Sequence, residues 1–339
     1  MRHKTDGTIQ KDLDDGIDTI GKKMTVCQLY AKQIRHRGNV RYNTKNGRKR
    51  LMKLLEEDKL GGCPIDSVKL SDAKEWAIRM KEKGISYKTI SNDKRSLKAA
   101  FYTAIQDDCI RKNPFDFQLN TVIEDDTEPK VPLTPAQEES FLSFAQNDKV
   151  YQKYYDELII LLGTGFRISE LCGLTDTDID FENRIINVDH QLLRSAETGY
   201  YIETPKTKSG IRQIPMSEKV YEAFNRVLKR SRGAKAVTID GYSNFLFLNR
   251  DGYPKTATNY DGMFRGLAKK YNKYHEEALP KVMTPHTLRH TFCTNMANAG
   301  MNPKALQYIM GHSNITMTLN YYAHATFDSA KAEMLRIAA

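Results

Sequence analysis

Apolar residues recur at helical spacing through the first third of the chain. Thr25 precedes a run in which Val26, Leu29, Tyr30 and Ile34 share one helix face. Further periodic runs lie at 51–55, 71–84 and 86–105, and Ser71 and Ser86 are suited to cap the last two because their hydroxyls can accept from nearby backbone amides. The pattern predicts a small helical domain over residues 24–118.

The pattern changes after residue 118. Residues 119–133 combine clustered acids with two prolines, which predicts an extended linker between domains. Beyond it, Thr134 and Pro135 favour a helix start, and strand-like runs at 185–188, 200–203 and 212–215 predict a small antiparallel sheet. We therefore expect a mainly α protein with a small antiparallel β-sheet, with its second domain over 134–325 and an amphipathic tail helix over 326–339.

The charge distribution points to a polyanionic partner. The 339 residues carry a formal net charge of +10, and no acid interrupts the basic residues between Lys32 and Lys53. A solvated helix face usually mixes the two signs, so this run favours contact with DNA phosphates. The predicted DNA-binding residues are Lys32, Arg35, Arg37, Arg41, Lys45, Arg48, Lys49, Arg50 and Lys53, with Tyr87, Lys88 and Thr89 from the start of a later helix.

Cysteine usage and hydropathy indicate the compartment. The five cysteines are scattered and form no Cys-x-x-Cys pair, which is typical of reduced thiols in a cytosolic protein. The N-terminus has no signal-peptide pattern, and no apolar run approaches the roughly 20 residues that a membrane helix needs. These features predict a cytoplasmic protein.

The residues that carry chemistry are concentrated between 284 and 322. After the helix start at Thr284 and Pro285, His286, Arg289 and His290 fall at i, i+3 and i+4 and so share one face. A Gly-His pair follows at 311–312, and two adjacent tyrosines follow at 321–322. Arginine binds phosphate through a fork of donors, histidine moves protons and tyrosine can be a nucleophile, so the set suits attack on a phosphodiester.

Two simpler interpretations compete with this one. The tyrosine pair could be ordinary half-buried aromatic residues. The His-x-x-x-His spacing of His286 and His290 also suits zinc, but Thr287 stands where the metalloproteases of that pattern carry their glutamate base. We therefore predict no metal site.

The motifs HTLRH and GHSNITMTLNYY, with Tyr321 nine residues after His312, resemble those of the tyrosine recombinase or phage integrase family. The resemblance is nearest to integrases of bacterial conjugative transposons and covers about residues 24–330. Two upstream motifs extend it, since GTGFRISELCGL supplies Arg167 and TPKTKSGIRQIP supplies Lys208.

The resemblance implies a site-specific recombinase that cuts and rejoins DNA through a 3′-phosphotyrosine, without metal, ATP or other cofactor. Residues 24–118 would be the core-binding domain and 134–325 the catalytic domain, together forming a clamp around DNA; residues 1–23 would be a flexible remnant of the linker from an arm-binding region. The implied catalytic residues are Arg167, Lys208, His286, Arg289, His312 and Tyr321, supported by Glu170 and His290.

The implied partners are double-stranded DNA at transposon ends, attachment sites and target sites, further copies of the chain in a synaptic tetramer, and accessory proteins for excision or bending. Two other functions stay open from the sequence. Type IB topoisomerases use the same chemistry to relax DNA, and an architectural DNA-binding protein could keep the fold without activity.

Overall fold

The computed structural model describes residues 21–38, 40–128, 131–231, 237–322 and 334–335. The chain divides into two compact units between residues 129 and 130, inside the segment predicted as a linker. Most of the segment 1–23, predicted to be a flexible linker remnant, lies outside the described residues, as does most of the predicted tail helix over 326–339.

The first unit is helical. Its helices are α1 (Val26–His36), α2 (Tyr42–Glu56), α3 (Leu70–Glu82) and α4 (Tyr87–Gln106). Ser86 caps α4 as predicted, and Thr25 caps α1; each accepts from a backbone amide three residues on. The expected cap at Ser71 is wrong: α3 begins at Leu70, after Lys69, because the Asp72 carboxylate accepts from the Lys69 amide at 2.8 Å. These helices enclose a core around Trp76, Phe101 and Phe115.

The second unit contains the remaining elements. Its helices are α5 (Pro135–Asn147), α6 (Tyr155–Thr164), α7 (Ile168–Gly173), α8 (Glu218–Ser231), α9 (Ala257–Tyr274), α10 (Pro285–Asn298), α11 (Pro303–Met310) and α12 (Thr316–Leu319). Helix α6 lies at the centre of this unit, with Leu158, Ile160 and Leu161 fully buried, and contacts both α8 and α10.

The strands form two small antiparallel sheets. The first has the order β1 (Ile179–Asp180), β2 (Ile185–Val188), β5 (Arg212–Pro215); the second is the hairpin of β3 (Gln191–Ser195) and β4 (Gly199–Glu203). The sequence predicted one sheet containing all three strand-like runs. Instead, Leu192 pairs with Ile202, because the chain returns at once through a turn in which Gly199 has φ +72°. The prediction of a mainly α fold with small antiparallel strands is confirmed.

A separate, smaller apolar cluster lies beside the main core of the second unit. Phe292, Cys293 and Ala297 of α10 pack there against Leu306 and Met310 of α11. The partly buried rings of Tyr321 and Tyr322 pack on this cluster. No described helix combines the length and the apolar character required to span a membrane.

Candidate active site

Arg167 is fixed at the N-terminus of α7 by the glutamate predicted to support it. The Glu170 carboxylate accepts from the Arg167 guanidinium at 2.7 Å and from the Arg167 backbone amide at 2.9 Å. Burial would raise the pKa of Glu170, but hydrogen bonds and positive charge from Arg212, with Arg167 and Arg289, lower it to about 2. Glu170 is therefore an anion at neutral pH that holds Arg167 in one orientation.

Arg289 projects from α10 into the same region and is almost fully buried. Its guanidinium donates to the carbonyl of Gly165 at 2.5 Å and to the carbonyl of Met310. Burial and the neighbouring charge of Arg167 lower the pKa of Arg289 to about 9. The guanidinium is still protonated at neutral pH, so the site retains its positive charge.

Three consecutive carbonyls at the end of α11 each accept from a different arginine. Ile309 accepts from Arg212 at 2.6 Å, Met310 from Arg289, and Gly311 from Arg167 at 3.0 Å. The last carbonyls of a helix have no partner within the helix and carry its negative dipole end, which suits guanidinium donors. This arginine–carbonyl ladder fixes the position of the residue that follows, His312.

Lys208 lies in a turn packed against this ladder. Residues Lys208–Gly210 form a single 3₁₀ turn after β4, and the Gly210 carbonyl accepts from Arg212 at 3.0 Å. Gly311 has φ +61°, and a Cβ there would lie 3.0 Å from the Ser209 carbonyl oxygen. The close approach of Gly311 to this turn brings the lysine segment beside His312.

His312 is buried and its ring is oriented by Thr318. Its Nδ1 lies 2.9 Å from the Thr318 hydroxyl, which belongs to α12 and has no exposed surface. Burial, followed by the charges of Arg289, Arg167 and Arg212, lowers the pKa of His312 to about 4. The imidazole is therefore neutral at pH 7. When Thr318 donates to Nδ1, the proton of the ring is on Nε2 and can be donated elsewhere.

The two tyrosines of the pair have different hydroxyl partners. The Tyr321 hydroxyl is hydrogen-bonded to Nδ1 of His290, whereas the Tyr322 hydroxyl donates to the Met301 carbonyl at 2.5 Å. Burial raises the pKa of Tyr321 to about 12, so its phenol is protonated at neutral pH. A phenol in this state needs a proton acceptor before it can attack.

Within the second unit, Arg167, Arg289 and His312 lie close enough for their charges to interact, and the turn that carries the exposed Lys208 packs beside Gly311. Two findings differ from the prediction in emphasis. His286 is exposed, and its ring lies edge-on to that of His290 at 4.6 Å between centroids. His290, predicted only as a support, touches the Tyr321 hydroxyl directly. Sequence reasoning missed Arg212 and Thr318: both lie inside the quoted motifs, but each acts through contacts that form only when the chain folds.

The predicted DNA-binding residues of the first unit divide into two groups. Some form ion pairs: Lys32 with Asp107 at 2.8 Å, and Arg50 with the buried Asp93 at 2.5 Å. The side chains of Arg35, Arg37, Lys45 and Lys49 are exposed, as is Lys88 at the start of α4. The ion pair of Arg50 indicates a structural role for that residue.

One group among the described residues could in principle share a cation. Asp178, Asp189 and His190 have ligand atoms within 4.8 Å of one another. However, His190 Nδ1 bonds Asp189 at 2.6 Å and Nε2 lies 2.7 Å from the Gly173 carbonyl. Both ring nitrogens are already engaged, so the cluster has the geometry of a hydrogen-bonded support for α7 and β3.

Comparison with known proteins identifies close relatives. The family model described as "Phage integrase family" matches residues 132–329. The transposase from transposon Tn916 of Enterococcus faecalis is 68% identical over 329 residues, covering 97% of this chain and 81% of its own. The transposase from transposon Tn1545 of Streptococcus pneumoniae gives the same values.

A solved structure extends the similarity to three dimensions. The Tn1549 transposon integrase in complex with a circular intermediate DNA is 78% identical, with a TM-score of 0.88 over 93% of this chain and 99% of that chain. With the family model covering more than half of its residues, the chain belongs to the phage integrase family of tyrosine recombinases.

Proposed function

We propose that this protein is a site-specific recombinase that integrates and excises a mobile DNA element by cutting and rejoining DNA strands. The observation that carries the proposal is the grouping of Arg167, Arg289 and His312, with the Tyr321 hydroxyl near enough for the charge of Arg289 to act on it. Three guanidinium groups surround the single carboxylate of Glu170, so positive charge remains to bind a phosphate. Double-stranded DNA, such as the transposon ends bound by its relatives, is the proposed substrate.

The proposed reaction is an in-line displacement at phosphorus. The Tyr321 oxygen forms a bond to phosphorus, the bond from phosphorus to the 5′-oxygen breaks, and a 3′-phosphotyrosine results. Arg167 and Arg289 stabilise negative charge on the non-bridging oxygens, and neutral His312 can donate from Nε2. Lys208 gives a proton to the leaving 5′-oxygen. Energy is retained in the phosphotyrosine, and attack by a new 5′-hydroxyl reverses the step.

The proton of the Tyr321 hydroxyl passes to His290 Nδ1, with which it is already hydrogen-bonded. His312 is less suited to that role, because its Nδ1 is occupied by Thr318. We therefore assign the acceptor role to His290 and a donor role to His312. We propose that the exposed His286 contacts the DNA phosphate.

The direct test uses a nicked duplex from which the cleaved fragment diffuses away, so that the covalent intermediate accumulates. The end sequence bound by the Tn1549 integrase is a suitable first probe. A protein–DNA adduct that resists denaturation and forms in the presence of a chelator supports the proposal; a preparation that binds this DNA without forming an adduct contradicts it. Strand exchange between two duplexes, rather than relaxation of one plasmid, separates recombination from topoisomerase activity.

Further parts of the proposal concern assembly and place of action. Paired exchange requires several copies of the chain on two DNA segments, so we propose a synaptic tetramer, with accessory proteins that bend DNA. The site of action is the cytoplasm, where the bacterial DNA of such elements lies.

The solvent-accessible cations of α2 should contribute salt-dependent affinity. Replacing Lys45, Arg48 and Lys49 by alanine should weaken binding to all sequences and lower the slope of log Kd against log salt by about 0.9 for each phosphate that is no longer neutralised. Arg50 is left intact because its ion pair with Asp93 is structural. Alanine at the exposed residues Lys59 and Lys83, which lie outside α2, is the control for loss of surface charge. An unchanged slope in the triple variant would remove α2 from the DNA interface.

The His290 assignment predicts a specific defect. His290→Ala should reduce the rate of adduct formation by roughly 10²–10⁴-fold, the usual contribution of a general base, while DNA affinity is maintained. Added imidazole should restore part of the rate. His275→Ala, which removes a ring stacked on Tyr271 at 3.8 Å between centroids, is the control. Unchanged or faster cleavage by His290→Ala would mean that His290 only holds the tyrosine in a resting position.

A further inference from the structure

Arg212 is a buried arginine beside the site. Its side chain is 0% exposed, and it lies on β5, four residues after Lys208. A guanidinium loses a large hydration energy on burial, so such a residue persists only when its donors are matched by acceptors. The acceptors of Arg212 indicate what it holds together.

Its hydrogen bonds reach three separate segments. Nη1 and Nη2 donate to the two carboxylate oxygens of Glu170 at 3.1 and 2.8 Å, Nη1 also donates to the Gly210 carbonyl at 3.0 Å, and Nε donates to the Ile309 carbonyl at 2.6 Å. Glu170 holds Arg167, Gly210 ends the turn that contains Lys208, and Ile309 begins the arginine–carbonyl ladder before His312. One planar group therefore joins the segments that carry three of the proposed catalytic side chains.

We propose that Arg212 is a positioning residue that sets the Lys208 turn in register with Arg167 and His312. This inference rests on the proposed function. The rigid fork of an arginine can bond a carboxylate and two carbonyls at once, whereas the single ammonium of a lysine cannot span them. Loss of the fork releases the Gly210 carbonyl, so the turn moves away from the leaving 5′-oxygen that Lys208 must protonate.

The test exploits the identity of the leaving atom. A duplex in which sulfur replaces the bridging 5′-oxygen at the cleavage site releases a thiolate, which leaves readily without a proton from Lys208. Arg212→Lys should reduce the single-turnover cleavage rate of the oxygen substrate by on the order of 10²-fold relative to wild type. On the sulfur substrate, the reduction relative to wild type should be smaller by at least about tenfold. Lys208→Ala sets the upper limit of this recovery.

The controls separate positioning from loss of folded protein. Arg167→Lys should lose rate on both substrates alike, because the non-bridging oxygens need their charge partner whichever atom leaves. A loss in Arg212→Lys that is equal on both substrates, or no loss, would overturn the inference. If the wild-type protein cleaves neither substrate, the proposed function fails instead.

A second variant keeps the test valid if Arg212→Lys does not fold. Removing a single partner leaves Glu170 as a buried, poorly paired carboxylate, so the double variant Arg212→Met with Glu170→Gln removes both charges together. Its thermal unfolding and DNA affinity are measured first. The loss of rate relative to wild type should again be at least about tenfold smaller on the sulfur substrate than on the oxygen substrate. If the folded double variant has the same ratio of the two rates as the wild type, the role of Arg212 is contradicted.

Discussion

Replacing Tyr321 by phenylalanine should abolish the covalent protein–DNA adduct while the affinity for DNA is unchanged. The substitution removes one oxygen, the proposed nucleophile, and retains the ring that packs on the cluster of α10 and α11. It also breaks the hydrogen bond to His290, whose cost to stability should be only about 1 kcal/mol for a partly buried pair. Adduct formation on the nicked duplex and a binding titration measure the two properties separately.

Tyr322→Phe is the matched control for this experiment. The Tyr322 hydroxyl donates to the Met301 carbonyl and so has a structural partner. The two hydroxyls have different partners, His290 and the Met301 carbonyl, so we expect only one of the two rings to direct its oxygen to a given phosphate. We expect Tyr322→Phe to retain adduct formation. If it loses the adduct and Tyr321→Phe keeps it, the nucleophile has been misassigned.

Arg167→Lys should lower the cleavage rate by roughly 10²–10³-fold or more, the usual effect of removing one preorganised donor from a developing oxyanion. The charge is retained, so the DNA affinity should change little. What disappears is the fork that bonds Glu170 and the Gly311 carbonyl together, at 2.7 and 3.0 Å. Single-turnover rates at saturating protein distinguish this effect from weaker binding.

Arg184→Lys is a suitable comparison for that variant. Arg184 is another arginine of the second unit, paired with the exposed Glu218 at 2.5 Å, and is not part of the proposed site. The Arg184→Lys variant should cleave DNA at the wild-type rate. Near-normal cleavage by Arg167→Lys, measured beside this control, would place Arg167 outside the chemistry.

The features predicted from sequence are those that depend on near neighbours in the chain. The caps at Ser86 and Thr134 each use an amide three residues away, so the local sequence contains both partners. Glu170 likewise lies three residues from Arg167. Strand pairing depends on distant segments, and the single predicted sheet was wrong because β4 pairs with β3 rather than joining β2 and β5.

The parts of the site that sequence reasoning missed depend on distant contacts. Arg212 acts through Glu170 and Ile309, which lie 42 and 97 residues away in the chain. The motif TPKTKSGIRQIP that contains Arg212 therefore gives no sign of its role. The helix face shared by His286, Arg289 and His290 was predictable. Which of the two imidazoles contacts the Tyr321 hydroxyl depends on the path of the chain at the end of α12, which the sequence does not show. The basic run also gave no sign of the ion-pair partner of Arg50, because Asp93 lies 43 residues further along the chain.

The small cluster of Phe292, Cys293, Ala297, Leu306 and Met310 has a consequence for how easily the nucleophile can move. Tyr321 and Tyr322 rest on this cluster rather than on the main core around α6. The one-turn helix α12, which has four residues, precedes them. Segments with few buried apolar contacts open at a small fraction of the global unfolding free energy. We therefore expect local opening that displaces Tyr321 to need less free energy than global unfolding of the second unit.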